Sequence, residues 1–334
     1  MPELPEVEVI RRGLDEVLPG RQIVSIEVLE ARSFIGFNQD LMHQLVGMQV
    51  RKVQRRGKML MIYLGTDISA VIREVESKDN ASLASSQKLS LPDGSAELGK
   101  TDSVQATNDA VLLVHLRMTG QLVYRKAEFE DDQALSGGFP NASLIGELPD
   151  KSTRITITLD NQDRLYFNDQ RKFGYFKLVA EDRLFEDDFL AHLGPEPLAE
   201  GFTWRDLRIA LGNGSISVKG ALLDQQRLAG IGNIYADESL FRAFIDPRRS
   251  VSTLTPNNYK RLLASIIECL TLSIDAGGST ARNYVDAMGL RGEFLDLHAA
   301  VYGKDGQACL HCGRPIKKIR VAGRGTHFCS KCQK

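Results

Sequence analysis

The spacing of apolar and polar positions divides the 334-residue chain into two unlike halves and a short tail. Val7, Val9, Ile10 and Leu14 make one stripe of a helix over 5–18, opened by Pro5 and ended by Pro19-Gly20. From 22 the period shortens, and strands are predicted at Ile23–Val28, Met48–Val53 and Met59–Leu64, with a short helix over 39–47 closed by Gly47. Strand character returns at 111–116, 121–124, 154–159, 164–169 and 175–179. One leading helix and about seven or eight antiparallel strands make a β-sandwich by count. Beyond 203 the pattern is helical, over 204–211, 222–228, 233–244 and 257–276. Residues 181–201, acidic and carrying Pro195 and Pro197, are predicted to be a hinge. Two stretches, 66–110 and 126–150, are rich in Ser, Asp, Gly and Asn without periodicity and are expected to be acidic, largely disordered excursions. The expected organisation is α+β and multidomain: 1–180, a linker 181–202, a helical unit 203–302, and a small unit 303–334.

Composition, at 43% hydrophobic and 25% charged, is that of a globular protein with real cores. No apolar run is long enough to span a bilayer and no signal-peptide pattern opens the chain, so a cytosolic protein without a membrane partner is expected. The net charge of −1 hides an uneven distribution. Residues 74–110 carry −4 and 126–150 carry −5, which leaves +8 on everything else. Arg51–Lys58 contributes +5 and residues 303–334 contribute +7, and two such blocks suit a phosphate backbone.

Candidate chemistry begins at the first residues, Met1-Pro2-Glu3-Leu4-Pro5-Glu6. Removal of Met1 would expose the secondary amine of Pro2, a group that titrates near ~8 and is partly nucleophilic at neutral pH. Attack on an aldehyde-level carbon would give an iminium ion, with Glu3 placed to move protons. An ordinary acidic helix start is the plain alternative. In Gln170-Arg171-Lys172-Phe173-Gly174 two cations and an aromatic interrupt two strands, a composition suited to entering a nucleic-acid stack. Gly230-Ile231-Gly232-Asn233 opens into a helix, as phosphate-binding turns do. Met288–Phe294 is glycine-rich and reads as a mobile loop over a pocket. The most specific signal is Cys309-x2-Cys312-x16-Cys329-x2-Cys332, whose paired spacing suits one structural Zn²⁺ with no open position. Cys269, in an apolar helical run, is expected to be a core thiol.

In this order the pieces closely resemble the bacterial formamidopyrimidine-DNA glycosylase family. The resemblance runs through MPELPEVE at the start, QRRGKML at 54–60, HLRMTG at 115–120, DQRKFG at 169–174, HLGPEPL at 192–198, GIGNIYADESLF at 230–241, GGST at 277–280, VYGKDGQACLHCGRPI at 301–316 and RGTHFCSKCQK at 324–334. It implies a β-sandwich with a leading helix, a helix-two-turn-helix domain and a four-cysteine zinc finger, with damaged double-stranded DNA bound between the halves of a monomer in the bacterial cytoplasm. It also implies base excision repair: excision of oxidised purines, then cleavage of the abasic site. Carried over, Pro2 is the nucleophile and Glu3 the proton donor and acceptor, supported by Glu6. Lys58 and Arg324 join the catalytic set at the phosphates, and Asn233 and its turn grip phosphate. His115, within HLRMTG, falls in the DNA-binding set. Met118, Arg171 and Phe173 form the wedge that fills the gap left by a flipped nucleotide. Region 284–296 is the base-capping loop. Gln170 and Lys172 depart from the family, which usually shows Pro and Arg there, and the acidic excursions are not typical of it. An oxidised-pyrimidine glycosylase of the same superfamily and a non-catalytic damaged-DNA-binding protein are the rival readings. Leu4, the wedge set and the long capping segment favour the purine branch.

Overall fold

The computed structural model describes residues 2–65, 109–127, 147–280 and 291–334. Most of the two predicted acidic excursions, and residues 284–290 of the predicted capping loop, lie outside the described residues.

Helix α1 (Leu4–Val17) leads into two sheets. Strands β1 (Ile23–Val28), β7 (Thr153–Leu159), β8 (Arg164–Asp169) and β6 (Gly120–Arg125) form an antiparallel four-stranded sheet in that order. The second sheet has five strands: β2 (Phe34–Ile35), β9 (Tyr175–Ala180), β5 (Ala110–His115), β4 (Met59–Gly65) and β3 (Gln49–Arg56). Its pairs are antiparallel except β2 with β9, a parallel contact of two residues that the sequence pattern did not predict. The short helix α2 (Gln39–Leu45) forms as expected, with the Asn38 side chain capping it through the Leu41 N–H at 2.7 Å. The main core lies between the sheets, where Leu60, Ile62, Leu112, Val114, Ile155, Phe167 and Phe176 meet Val7, Ile10 and Leu14 of α1.

Strands β4 and β5 read as unbroken apolar runs because both their faces are covered. Met59, Met61, Tyr63, Val111 and Leu113 face away from the main core and pack under Leu184 and Leu190. These two leucines come from a 3₁₀ turn (Glu181–Glu186) and helix α3 (Asp188–Ala191). The first half of the predicted hinge is therefore ordered structure that closes the sheet. Its prolines come later, at Pro195 and Pro197.

The helical half contains α4 (Trp204–Leu211), α5 (Val218–Leu223), α6 (Asn233–Arg242), α7 (Pro256–Asp275) and the short α8 (Phe294–Leu297). Helix α5 lies several residues earlier than the predicted 222–228. Ser217 starts it by accepting the Gly220 N–H, and Asp224 ends it by drawing Gln226 and Arg227 into a turn. Leu4, at the start of α1, packs with Ile231, Tyr235 and Leu270 of the helical core. One helix thus serves two cores, its first turn in one and its later turns in the other. A Cβ on Gly230 would lie 2.5 Å from Leu4 Cδ1, and Gly230 has φ +96°, so this turn admits only glycine. Leu4 thus joins the two halves by packing. No helix among the described residues is long and apolar enough to cross a membrane.

The tail folds as a hairpin, β10 (Lys317–Val321) and β11 (Arg324–Phe328). Its two-residue turn, Ala322-Gly323, has φ of +48° and +73°, as the twist of a tight hairpin requires.

Candidate active site and nucleic-acid interface

Glu3 precedes α1 and is 3% exposed. Its backbone N–H donates to Glu6 Oε2 at 2.7 Å, and its Oε1 accepts the Ile234 N–H at 3.1 Å, at the start of α6. Oε2 is buried with no hydrogen-bond partner. The carboxylate rests on Gly232, where any Cβ would lie 2.1 Å from Glu3 Cδ. The Gly230–Gly232 turn predicted to cradle phosphate is thus first a seat for Leu4 and Glu3. Burial raises the Glu3 pKa to about 7, opposed by the charge of Lys58 and reinforced by that of Glu6.

Lys58 lies just outside β4, as the second residue of the tight β3–β4 turn, after Gly57 with φ +58°. The turn carries Lys58 across to the helical half, where its buried Nζ donates to the Ile231 carbonyl at 2.8 Å. Burial lowers its pKa, Glu3 and Glu6 oppose that shift, and the charge of Arg324 adds to it. Pro2, partly exposed, immediately precedes this cluster.

Glu6 is buried and accepts the Tyr235 hydroxyl at 2.5 Å, the Ser279 N–H at 2.8 Å and the Ser279 hydroxyl at 2.7 Å, besides the Glu3 N–H. It therefore ties the start of α1 to α6 and to the segment after α7. Gly292 closes on Gly278, so 277–280 and 291–294 meet at the base of the predicted capping loop.

Apart from Lys58, the cations of the basic block Arg51–Lys58 are engaged within the protein. Arg51 pairs with Asp109 and Glu181, Lys52 lies over Tyr63, and Arg55 bridges Glu8 and Glu196. Arg56 donates to the Gly194 carbonyl at 2.8 Å. These cations satisfy carboxylates and carbonyls from distant segments, which charge counting along the chain does not reveal.

His115 ends β5, opposite Met59 and Tyr175. Its Nδ1 accepts the Arg117 N–H at 3.0 Å, and burial, with Arg117 and Lys58 nearby, lowers its pKa to about 3. The ring is neutral with its proton on Nε2, so it offers a hydrogen-bond donor and not a cation. Beyond it, Met118 and Phe173 are 44% and 53% exposed, and Arg171 joins them. Arg171 Nη1 is 3.2 Å from Met118 Sδ, and its guanidinium lies 4.9 Å from the Phe173 ring centre. The three predicted wedge residues are one cluster although 53 residues separate Met118 from Arg171.

The thiols of Cys309, Cys312, Cys329 and Cys332 lie within 4.8 Å of one another, with sulfur pairs at 3.9 and 3.5 Å. A tetrahedral zinc at about 2.3 Å from each sulfur spaces the sulfurs about 3.8 Å apart, so the set fits one ion. His311 and His327 are placed elsewhere: the His311 ring stacks 5.1 Å from Phe241, and His327 Nδ1 lies 3.4 Å from Asp237 Oδ2, which also accepts the His327 backbone N–H at 2.8 Å.

Helix α6 mounts this finger. Buried Lys219 bonds Asp237 at 2.6 Å, Thr326 Oγ1 at 2.7 Å and the Gly325 carbonyl at 3.0 Å. Asn233 Nδ2 donates to the same carbonyl at 3.0 Å, and Glu238 accepts the N–H groups of Ala300, Val301 and Tyr302. Arg324, exposed at the hairpin turn, is held beside the cluster by the residue that follows it.

A family model for the formamidopyrimidine-DNA glycosylase N-terminal domain matches residues 1–176, and one for the H2TH domain of the same enzymes matches 193–285. A third, for a zinc finger found in FPG and IleRS, matches 306–334. A formamidopyrimidine-DNA glycosylase of Desulfitobacterium hafniense is 34% identical over 334 residues, covering all of both chains. The chain belongs to the formamidopyrimidine-DNA glycosylase family. Among solved structures, a Lactococcus lactis FPG mutant in complex with Fapy-dG containing DNA matches with a TM-score of 0.76 and 31% identity over 100% of each chain. The wild-type Lactococcus lactis FPG in complex with an oxidised pyrimidine containing DNA matches with a TM-score of 0.75 at 31% identity, again over both whole chains.

Within this glycosylase framework, sequence reasoning missed Lys219, Asp237 and Glu238, because their partners lie far away in the chain. For Asp237 and Glu238 the available signal was a pair of adjacent acids between the apolar residues Ile234, Tyr235, Ala236 and Leu240, Phe241 of one helix. Asp237→Ala leaves Lys219 buried and uncompensated, and should cost about 3 kcal/mol in denaturant unfolding. Arg12→Ala, which breaks only an exposed pair with Glu8, should cost under about 0.5 kcal/mol. Equal losses from the two variants would contradict the mounting role.

Proposed function

We propose that the protein excises oxidised purines from double-stranded DNA and then cleaves the resulting abasic site. The observation that carries this is the buried Glu3 carboxyl, near pH 7 in its titration, with one oxygen unpartnered beside Lys58 and next to Pro2. With Met1 removed, the neutral Pro2 amine attacks C1′ of the damaged nucleotide, and the bond from C1′ to the base breaks. The departing base takes a proton from the site. Opening of the sugar ring moves a further proton to the ring oxygen and leaves an iminium between Pro2 and C1′. Loss of a C2′ proton then expels the 3′ phosphate, and a second elimination expels the 5′ phosphate. Glu3 shuttles these protons because burial keeps its two forms close in energy at neutral pH. Lys58 and Arg324 place positive charge at the flanking phosphates, and Asn233 and His115 add neutral hydrogen bonds. Met118, Arg171 and Phe173 fill the stack while the nucleotide is extruded, since C1′ is out of reach inside a duplex. Cys309, Cys312, Cys329 and Cys332 hold one zinc, which cross-links the finger and takes no part in the bond changes.

The purine reading rests on the family and on the wedge set. The solved Lactococcus complex with an oxidised pyrimidine keeps the pyrimidine reading in view. Single-turnover release from duplexes carrying 8-oxoguanine or thymine glycol decides between them. Faster release of 8-oxoguanine supports the proposal, and faster release of thymine glycol replaces it.

A further inference from the structure

We propose that Asp169, acting with Thr119, is the positioning residue that holds Met118, Arg171 and Phe173 as one rigid wedge; this rests on the reading of those three as the wedge. Asp169 is the last residue of β8, fully buried, and paired with Gly120 across the sheet. All four side-chain bonds made by its carboxylate go to the two loops that carry the exposed side chains. Oδ1 accepts the Thr119 hydroxyl and the Arg171 N–H, the latter at 3.1 Å. Oδ2 accepts the Phe173 N–H at 2.8 Å and the Gly174 N–H at 2.7 Å. Thr119 Oγ1 also accepts the Arg171 N–H at 3.1 Å, so one hydroxyl stitches both loops to the carboxylate. Arg154 Nε in turn fixes the Asp169 carbonyl at 2.8 Å.

The loops need such a clamp. Arg117 and Lys172, one in each loop, have φ of +52° and +57°, a region that non-glycine residues rarely enter. Each loop also holds a large apolar side chain out in water. Free of the clamp, both would relax and fold Met118 and Phe173 back on the surface. An ionised carboxylate can accept four bonds, whereas an amide must turn its NH₂ toward two donors. The clamp therefore depends on charge and shape together.

The test uses the full-length, zinc-loaded protein and a duplex with 8-oxoguanine next to 2-aminopurine, whose fluorescence reports unstacking as the wedge enters. Thr119→Val and Asp169→Asn should each slow the fluorescence change and base release by about tenfold or more. Cleavage of a pre-formed abasic site, which has no base to extrude, should change by less than about threefold. Thr119→Ser should restore the native rates, and Thr119→Val, which alters a partly exposed side chain, should melt as the native protein does. Native fluorescence kinetics in the folded Thr119→Val variant would overturn the proposal, as would equal losses on 8-oxoguanine and abasic duplexes. Phe173→Ala separates the underlying reading from this one. If that variant leaves the fluorescence change intact, the wedge assignment falls and the positioning role falls with it. If Phe173→Ala abolishes the change while Thr119→Val and Asp169→Asn do not, only the positioning role is lost.

Discussion

Glu3→Gln should lower base release by about a thousandfold while leaving DNA affinity intact and stability equal or higher. The substitution keeps the shape of the side chain, and its amide oxygen can still accept the Ile234 N–H. What disappears is a group that holds and returns a proton. The stability effect has a defined sign. Burial raises the folded-state pKa from 4.5 to about 7, so folding opposes ionisation. That penalty is absent below pH 4.5, grows as pH rises, and is complete above about 7. The glutamine variant, which never ionises, should therefore gain on the native protein in thermal melting at pH 8 relative to pH 4.5. For catalysis, steps that need the protonated acid should weaken as pH rises through about 7, and the variant should lose that dependence. Single-turnover kinetics and melting curves over this range check both parts. Unimpaired excision by Glu3→Gln would remove Glu3 from the mechanism.

Zinc removal should weaken DNA binding roughly a hundredfold, chiefly by releasing the basic finger from its fixed place. The finger has little core of its own: Ile316, Cys309 and Cys329 are buried with Phe241, Ala300 and Val301 of the helical half. Without the metal, four thiols must share that small volume with nothing to hold their spacing. The mounting bonds from Lys219, Asp237 and Asn233 all reach β11 or its turn, so melting the hairpin also displaces Arg324. The sandwich core, which the finger does not touch, should keep its native circular dichroism. An unchanged dissociation constant after verified loss of zinc would contradict this role for the finger.

The motifs proposed to carry chemistry were legible because such chemistry demands particular residue types at short spacing. Paired cysteines, the opening Pro2-Glu3, and the Arg171–Phe173 loop all stand out from the sequence alone. The sandwich was legible too, since alternation and turn residues mark each strand. Less visible was everything decided by distant partners. Arg51, Arg55 and Arg56 look like a phosphate-binding face until Asp109, Glu181, Glu8 and Glu196 are brought to them by the fold. Gly230 and Gly232 look like a phosphate turn until Leu4 and Glu3 occupy the space their missing side chains leave. Leu184 and Leu190 sit in an acidic, proline-bearing stretch whose composition suggests a hinge, yet the two-sided burial of β4 and β5 requires a cover. Asp169 stands in the DQRKFG motif with no role visible in the sequence, because its four partners come to it only when the two loops meet.

The most direct test of the central claim is borohydride trapping on a duplex containing 8-oxoguanine opposite cytosine, with the adduct mapped by mass spectrometry. The mechanism predicts a covalent adduct on the Pro2 nitrogen of protein that has lost Met1. No adduct on that duplex or on a plain abasic site, or an adduct mapped to Lys58 instead, would contradict it.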